Sequence, residues 1–212
     1  MKGPEYFESR RKKALEKSLS LGVMACALPV AAYMWIENKL HKYPLFFKQD
    51  RIGQEGNIFT LWKFETLYPG AELDPLHEGL FHTPTEERSD SRVLNARMRF
   101  MRKSGLNELA QIVNIFKGEM SVLGPRPQTP DYIKAAEELF PTEVKMWADA
   151  ALSVRPGLVG TNPLRTRDLP VEDFPVTAKS DIEYIRNASL SRDLRVFGQA
   201  LQGLLRIKGR NF

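Results

Sequence analysis

The sequence predicts an α+β protein that is mainly helical. It combines a re-entrant membrane helix hairpin, interfacial amphipathic helices, a short β-hairpin and a small cytoplasmic globular domain. Three observations carry that expectation. Residues 18–36 read SLSLGVMACALPVAAYMWI, with no charge over 19 positions. Residues 44–64 hold two apolar and aromatic runs around a turn bracketed by Gly53 and Gly56. Most of the chain beyond residue 95 repeats apolar residues at helical spacing.

The uncharged segment comes first. It is preceded by Arg10, Arg11, Lys12, Lys13 and Lys17, a flank that keeps an N-terminus cytoplasmic. A plain transmembrane span, a re-entrant pair, a buried soluble helix and a cleaved signal all compete for it. The segment lacks a polar face, which disfavours the soluble helix. Val23-Met24-Ala25-Cys26 faintly resembles a lipoprotein cleavage site, but little apolar chain precedes it. Pro29 removes a backbone hydrogen bond mid-segment and kinks a helix. Basic residues also follow, at Lys39 and Lys42. Both ends on one face of the membrane fit this pattern best. The division is therefore residues 1–43, a basic segment with the membrane helix, and residues 44–212, the folded remainder.

Composition limits the rest. Of 212 residues, 42% are hydrophobic and 27% charged, so a packed core is expected. The net charge of +5 suits nucleic acid, an anionic membrane surface or phosphorylated substrates. The basic residues flank membrane-like segments and no nucleic-acid motif occurs, so nucleic acid is not an expected partner. The single cysteine, Cys26, excludes an intrachain disulfide and a multi-cysteine metal site.

Phe46–Ile52 and Ile58–Phe64 are the expected strands of the hairpin. Lys48, Arg51 and Lys63 lie on them, either facing a phosphate or solvated. Residues 68–92 read as loop, and His77 and His82 within it match no metal-ligand spacing. Residues 95–103 give a basic helix with an apolar face, suited to a headgroup interface or to ordinary exposure. Residues 106–116 read as a helix with Leu106, Leu109, Ile112 or Val113, and Phe116 on one side. Asn107, Glu108 and Gln111 fall on another. Gly124-Pro125-Arg126-Pro127 holds Arg126 extended between two prolines, ready for bidentate phosphate binding or simply exposed on a turn. Residues 131–152 form an amphipathic stretch broken at Pro141. Arg155, Arg165 and Arg167 then surround two glycines and two prolines, in a loop able to cradle an anion. Residues 181–210 read as one long amphipathic helix with basic flanks, either interfacial or core-packing.

These residues together resemble the bacterial sugar transferases, monotopic phosphoglycosyl transferases that act on a polyprenyl phosphate. FFKQDRIGQEGNIFTLWKF is similar to that family's Phe-Lys-Gln-x-Arg-x-Gly hairpin, which ends in Lys-Phe-Arg. LNELAQIVNIFKGEMSVLGPRP is similar to its catalytic stretch, usually Leu-Asp-Glu-Leu-Pro-Gln, then Gly-Asp-Met-Ser and Gly-Pro-Arg-Pro. VRPGLVG and IEYIRNASLSRDLRVF match later segments, and Pro29 sits where the family breaks its membrane helix. The resemblance implies a UDP-sugar donor, a polyprenyl phosphate acceptor and Mg²⁺ at Glu108. It also implies a cytoplasmic-face location at the bacterial inner membrane, and residues 44–212 as the catalytic domain. In the family an Asp attacks the diphosphate, UMP leaves and a phosphosugar ester forms, which the polyprenyl phosphate then attacks.

The chain departs from the family's pattern at four places. Asn107 stands where the nucleophilic Asp is expected, and a neutral amide is a very poor nucleophile. Glu65 replaces an Arg, Ala110 replaces a Pro, and residues 74–97 match poorly. The expected catalytic positions are therefore Asn107 and Glu108. The expected substrate ligands are Lys48, Arg51, Lys63, Arg126, Arg155 and Arg165. Two functions stay open. One is a transferase that starts exopolysaccharide, O-antigen or glycoconjugate assembly. The other is an inactive relative that binds ligand, or that pairs with itself or with an active transferase.

Overall fold

A computed structural model describes residues 3–67, 93, 95–161 and 170–208, with side chains through Gly203. It opens with a short turn of 3₁₀-helix at Pro4–Tyr6. The long helix α1 (Arg10–His41) follows, then strands β1 (Phe46–Ile52) and β2 (Ile58–Phe64). After α2 (Ala96–Lys103) come a 3₁₀ segment (Leu106–Gln111), α3 (Ile112–Phe116) and β3 (Ser121–Leu123). Helices α4 (Pro130–Leu139) and α5 (Pro141–Ala151), strand β4 (Gly157–Val159), and helices α6 (Phe174–Arg186) and α7 (Leu190–Lys208) complete the described chain. The fold is mainly helical with a short β-hairpin, as the sequence predicts, and it adds a second small sheet that the sequence does not predict. His77, His82 and Arg165 lie outside the described residues, as does most of the poorly matching stretch.

The β-hairpin has the expected strands to the residue, paired antiparallel from Phe46↔Phe64 to Ile52↔Ile58. Period-2 alternation sorts its side chains. Gln49, Arg51, Leu61 and Lys63 share one face. Phe46, Lys48, Trp62 and Phe64 share the other. The second sheet is a two-strand parallel pair, β3 with β4, at three residues each.

Among the described residues, two larger hydrophobic clusters and a small third one of Phe59, Leu61 and Met120 make the core. Val122, Leu123, Trp147, Phe174, Tyr184, Ile185 and Val196 build the first; Met34, Phe64, Met98, Met101 and Ala110 build the second. Helix α1 serves both. Leu15, Leu19 and Val23 pack on the first cluster, and Val30, Ala31 and Met34 on the second. One stripe at helical spacing thus lies against the body along nearly the whole helix. The outer face carries Leu21, Leu28, Trp35, Ile36 and Leu40, all exposed.

Both ends of α1 bond to the same body. Lys12 and Glu16 reach β3 and α7; Asn38 reaches Glu65, and Glu37 reaches Asn95 at the start of α2. The sequence predicts a break at Pro29. The structure instead runs α1 through Pro29 as one helix of 32 residues, from the Ser9 cap to a left-handed Lys42. An internal proline costs one hydrogen bond and a local clash, which flanking contacts at both ends outweigh here.

Three further expectations change. Residues 106–111 are 3₁₀ rather than α, entered through Gly105 at φ 72°. At three residues per turn Glu108 and Gln111 stack, whereas Asn107 stacks on Ala110. Phe116, expected on the buried side, is 63% exposed, and Asn114 is buried in its stead. The C-terminal helical stretch is two helices, because Asn187–Ser189 ends α6 and caps α7: Asp193 N donates to Ser189 O.

Candidate active site

Arg51, Leu61, Lys63, Gln111, Arg126 and Pro127 line one small cleft. The hairpin supplies three of them from one strand face, the 3₁₀ segment one, and the Gly-Pro-Arg-Pro turn two. Glu108 joins the cations. Its Oε1 lies 2.9 Å from Arg126 Nη2 and 3.4 Å from Lys63 Nζ, and Arg126 Nη1 donates to Oε2 at 3.4 Å. The pairing with Arg126 is two-pronged, as planar guanidinium and carboxylate favour. Among the described residues the cleft gathers three cations and one carboxylate.

The turn that carries Arg126 is gripped on both sides. Upstream, Gly124 packs directly on Gly157, and Gly157 N donates to Pro125 O at 2.8 Å. Downstream, Arg51 Nη1 donates to Pro127 O at 2.9 Å and Ile52 N to Gln128 O at 2.9 Å. Arg51 also donates to Gln49 Oε1 at 2.6 Å, and the residue is buried. It therefore fixes the Arg126 turn as well as lining the cleft.

Asn107, beside Glu108, is buried, and no described side chain hydrogen-bonds to its amide. Asn114 is fully buried and stitches α3 to β2. Its Oδ1 accepts from Trp62 N at 3.1 Å, and its Nδ2 donates to Thr60 O at 2.8 Å and to Glu119 Oε2 at 2.7 Å. The hairpin face that carries Lys63 is held to the Asn107–Glu108 segment this way.

The structure thus gathers Arg51, Lys63, Glu108 and Arg126, with Asn107 adjacent. Lys48 is not with them. It lies on the opposite hairpin face, its Nζ 4.4 Å from the Trp62 ring centre. Arg155 is exposed and is not among the cleft's lining residues. Its backbone matters more: a methyl group on Gly124 would stand 2.7 Å from Arg155 O. Arg165 lies outside the described residues.

Glu65 also differs from expectation. Standing where the resemblance leads one to expect an Arg, it is turned onto backbone: Oε1 accepts from Thr66 N and Leu67 N, both at 2.9 Å. It caps the end of β2, and it is absent from the cleft lining. Gln111 is the lining residue that the sequence does not single out. The helical reading already puts Gln111 on one face with Asn107 and Glu108; the 3₁₀ form stacks it directly on Glu108.

The geometry agrees with what the chain is similar to. It is 26% identical to the undecaprenyl-phosphate galactose phosphotransferase of Salmonella typhimurium, over 93% of this chain and 41% of that protein. It is 28% identical to the UDP-glucose:undecaprenyl-phosphate glucose-1-phosphate transferase of Caulobacter vibrioides, over 92% of this chain and 70% of that protein. It is 31% identical to the uncharacterized sugar transferase EpsL of Bacillus subtilis, over 78% and 72%. The chain thus spans less than half the length of the Salmonella relative. The family model described as bacterial sugar transferase matches residues 7–206, and the chain belongs to that family.

Proposed function

We propose that this chain transfers a sugar-1-phosphate from a UDP-sugar to a polyprenyl phosphate at a membrane surface, at the start of glycan assembly. The observation that carries the reading is the Arg126–Glu108–Lys63 cluster beside Asn107, at a cleft that Arg51 also lines. The relatives named above for their activity are undecaprenyl-phosphate sugar phosphotransferases, which supports transfer over an inactive role.

Arg126 and Lys63 bind the donor's diphosphate, with Arg126 presenting its two-pronged face. Glu108 holds both cations in place before the donor arrives. Residue 107 is an amide, so it donates a hydrogen bond to a phosphoryl oxygen rather than attacking. The acceptor's phosphate oxygen attacks the β-phosphorus directly. A new phosphorus–oxygen bond forms there, the bond to the bridging oxygen breaks, and UMP leaves. The cations stabilise charge that builds on the transferring group.

Mg²⁺ fits this site through one carboxylate. Mg²⁺ is usually held by one or two carboxylates together with substrate phosphates and water. Among the described residues there is no cluster of three or more metal-ligating side chains, and Glu108 is the described carboxylate beside the cleft that would hold the ion. When bound, Mg²⁺ supplies Lewis-acid neutralisation of the diphosphate.

The length and apolar outer face of α1 support membrane association. A helix of 32 residues is about 48 Å long, more than a bilayer's roughly 30 Å hydrocarbon core. Its first turns and its last turns bond to one body. We therefore place both ends on the cytoplasmic side of the inner membrane, with the Leu21, Leu28, Trp35, Ile36 and Leu40 face toward lipid.

The test is UMP release from a panel of UDP-sugars with undecaprenyl phosphate, with Mg²⁺ or a chelator, for the natural chain and Asn107→Asp. Release by the natural chain supports transfer with an amide at position 107. Release by Asn107→Asp alone overturns direct transfer and locates the defect at one residue. Silence from both, in folded protein, overturns the function.

A further inference from the structure

Strand β3 leads straight into the turn that carries Arg126, and it is only three residues long. It pairs with β4 alone. Val122 and Leu123 are fully buried, so their backbone N–H groups need partners inside the protein. They find them on α1. Glu16 Oε2 accepts from Val122 N at 2.6 Å, and Oε1 from Leu123 N at 3.2 Å. Lys12 Nζ donates to Leu123 O at 3.0 Å and pairs with Glu16 Oε1 at 2.8 Å.

Lys12 is itself locked. It pairs with Asp193 Oδ2 of α7 at 2.8 Å, and Asp193 accepts from the hydroxyls of Tyr6 at 3.0 Å and Tyr184 at 2.6 Å. Lys12 and Asp193 are buried and both are paired, which is what a buried charge requires. One carboxylate from the helix with the apolar outer face thus takes the place of a third strand beside β3. Charge-assisted bonds of this kind are roughly twice as strong as neutral ones.

We infer that Glu16 is a positioning residue for the transfer site: anchored by Lys12, it holds Val122 and Leu123 so that Arg126 meets Glu108. The inference rests on the reading of Arg126 as a diphosphate ligand. It joins the seating of α1 to the assembly of the cleft, although no atom of Glu16 lies in the cleft lining.

The control is Glu37, a buried carboxylate at the other end of the same helix. It accepts from Asn95 Nδ2 at 3.1 Å and makes no bond to β3. The full chain in lipid nanodiscs is compared as the natural form, Glu16→Gln, Glu16→Asp and Glu37→Gln. Hydrogen exchange is followed by mass spectrometry in peptides covering residues 119–127 and 46–64, and donor KM and kcat are read from UMP release.

In Glu16→Gln, exchange at Val122 and Leu123 is expected to quicken by about tenfold or more, while the hairpin peptide is unchanged. Donor KM rises by about tenfold in the same variant, with a smaller change in kcat. Glu16→Asp, which keeps the charge, falls between the two. Glu37→Gln changes neither the 119–127 peptide nor KM. Unchanged protection of residues 119–127 in Glu16→Gln overturns the inference, and so does equal loss in Glu37→Gln. If the natural chain releases no UMP, the reading of the site falls, and exchange alone still decides whether Glu16 holds the segment.

Discussion

Gly157 and Gly124 touch backbone to backbone. A methyl group on Gly157 would stand 2.1 Å from Gly124 N and 2.7 Å from its Cα. Two motifs about thirty residues apart thus each need a glycine for the same contact, and that contact sets the start of the Arg126 turn. Gly157→Ala is expected to lower stability by about 3 kcal/mol, the upper range for forcing atoms into a packed site. Gly198→Ala is the matched control, with open space around it in α7. Removing a helical glycine there should stabilise by about 0.5–1 kcal/mol. Denaturant unfolding of both variants tests the contrast, and equal effects would refute the close-contact account.

Among the described residues Glu108 has two cationic neighbours in the cleft, and none of the three side chains is fully buried. A functional cluster and a structural one predict different outcomes for Glu108→Gln. With side chains only 15–19% exposed the pairs are weakly screened, so this shape-preserving change should cost about 1–3 kcal/mol of stability. UMP release should fall by about 100-fold or more, the range for removing a positioned charge at a reacting centre. Arg126→Lys should fall nearly as far as Arg126→Ala, since an ammonium cannot make the two-pronged contact. A fully active Arg126→Lys enzyme would remove Arg126 from the site.

How much of this was legible in the sequence varies by element, for physical reasons. The hairpin was, because alternation and a glycine turn are local signals. The α4–α5 break at Pro141 was, because proline starts helices and ends them. The Asn107, Glu108, Arg126, Arg51 and Lys63 group came through the family resemblance as much as through chemistry. The direction of Lys48 was not legible, because strand parity assigns a face but not which face is the cleft. The β3–β4 pair was too short to show a period. Lys12 reads as part of the basic flank and Glu16 draws no reading, since their partners lie more than a hundred residues away. The register of Glu108 with Gln111 depended on a 3₁₀ segment that apolar spacing read as α.

Asn114 is the polar residue whose loss should separate the hairpin from the catalytic segment. It is fully buried and satisfies Trp62 N and Thr60 O at once. Asn114→Ala leaves these two part-buried backbone groups without their partner and is expected to cost about 2 kcal/mol. Asn114→Asp should be worse at neutral pH, because it sets a carboxylate against Thr60 O and the Glu119 carboxylate, 2.7 Å from the present amide nitrogen. Thermal unfolding at pH 7 and pH 5 checks the order. The gap between the two variants should narrow at the lower pH, where the added acid protonates.

Asp181 gives the fold a pH dependence of the less common sign. It is fully buried, accepting from Trp147 Nε1 at 2.9 Å and Thr161 Oγ1 at 2.6 Å, and burial raises its pKa to about 6 despite both bonds. An unfolded Asp titrates near 3.9. Between these values the folded chain keeps a proton that the unfolded chain has lost. Stability from this group is therefore full below about pH 4 and falls as pH rises through about 6, by roughly 3 kcal/mol in all. Asp181→Asn keeps the shape, accepts from Trp147 and donates to Thr161. It should remove that slope and be more stable than the natural chain at pH 7. Denaturant midpoints for both at pH 5 and pH 7 test this. A natural chain that gains stability relative to Asp181→Asn as pH rises through 6 would show that Asp181 is instead held in its charged form.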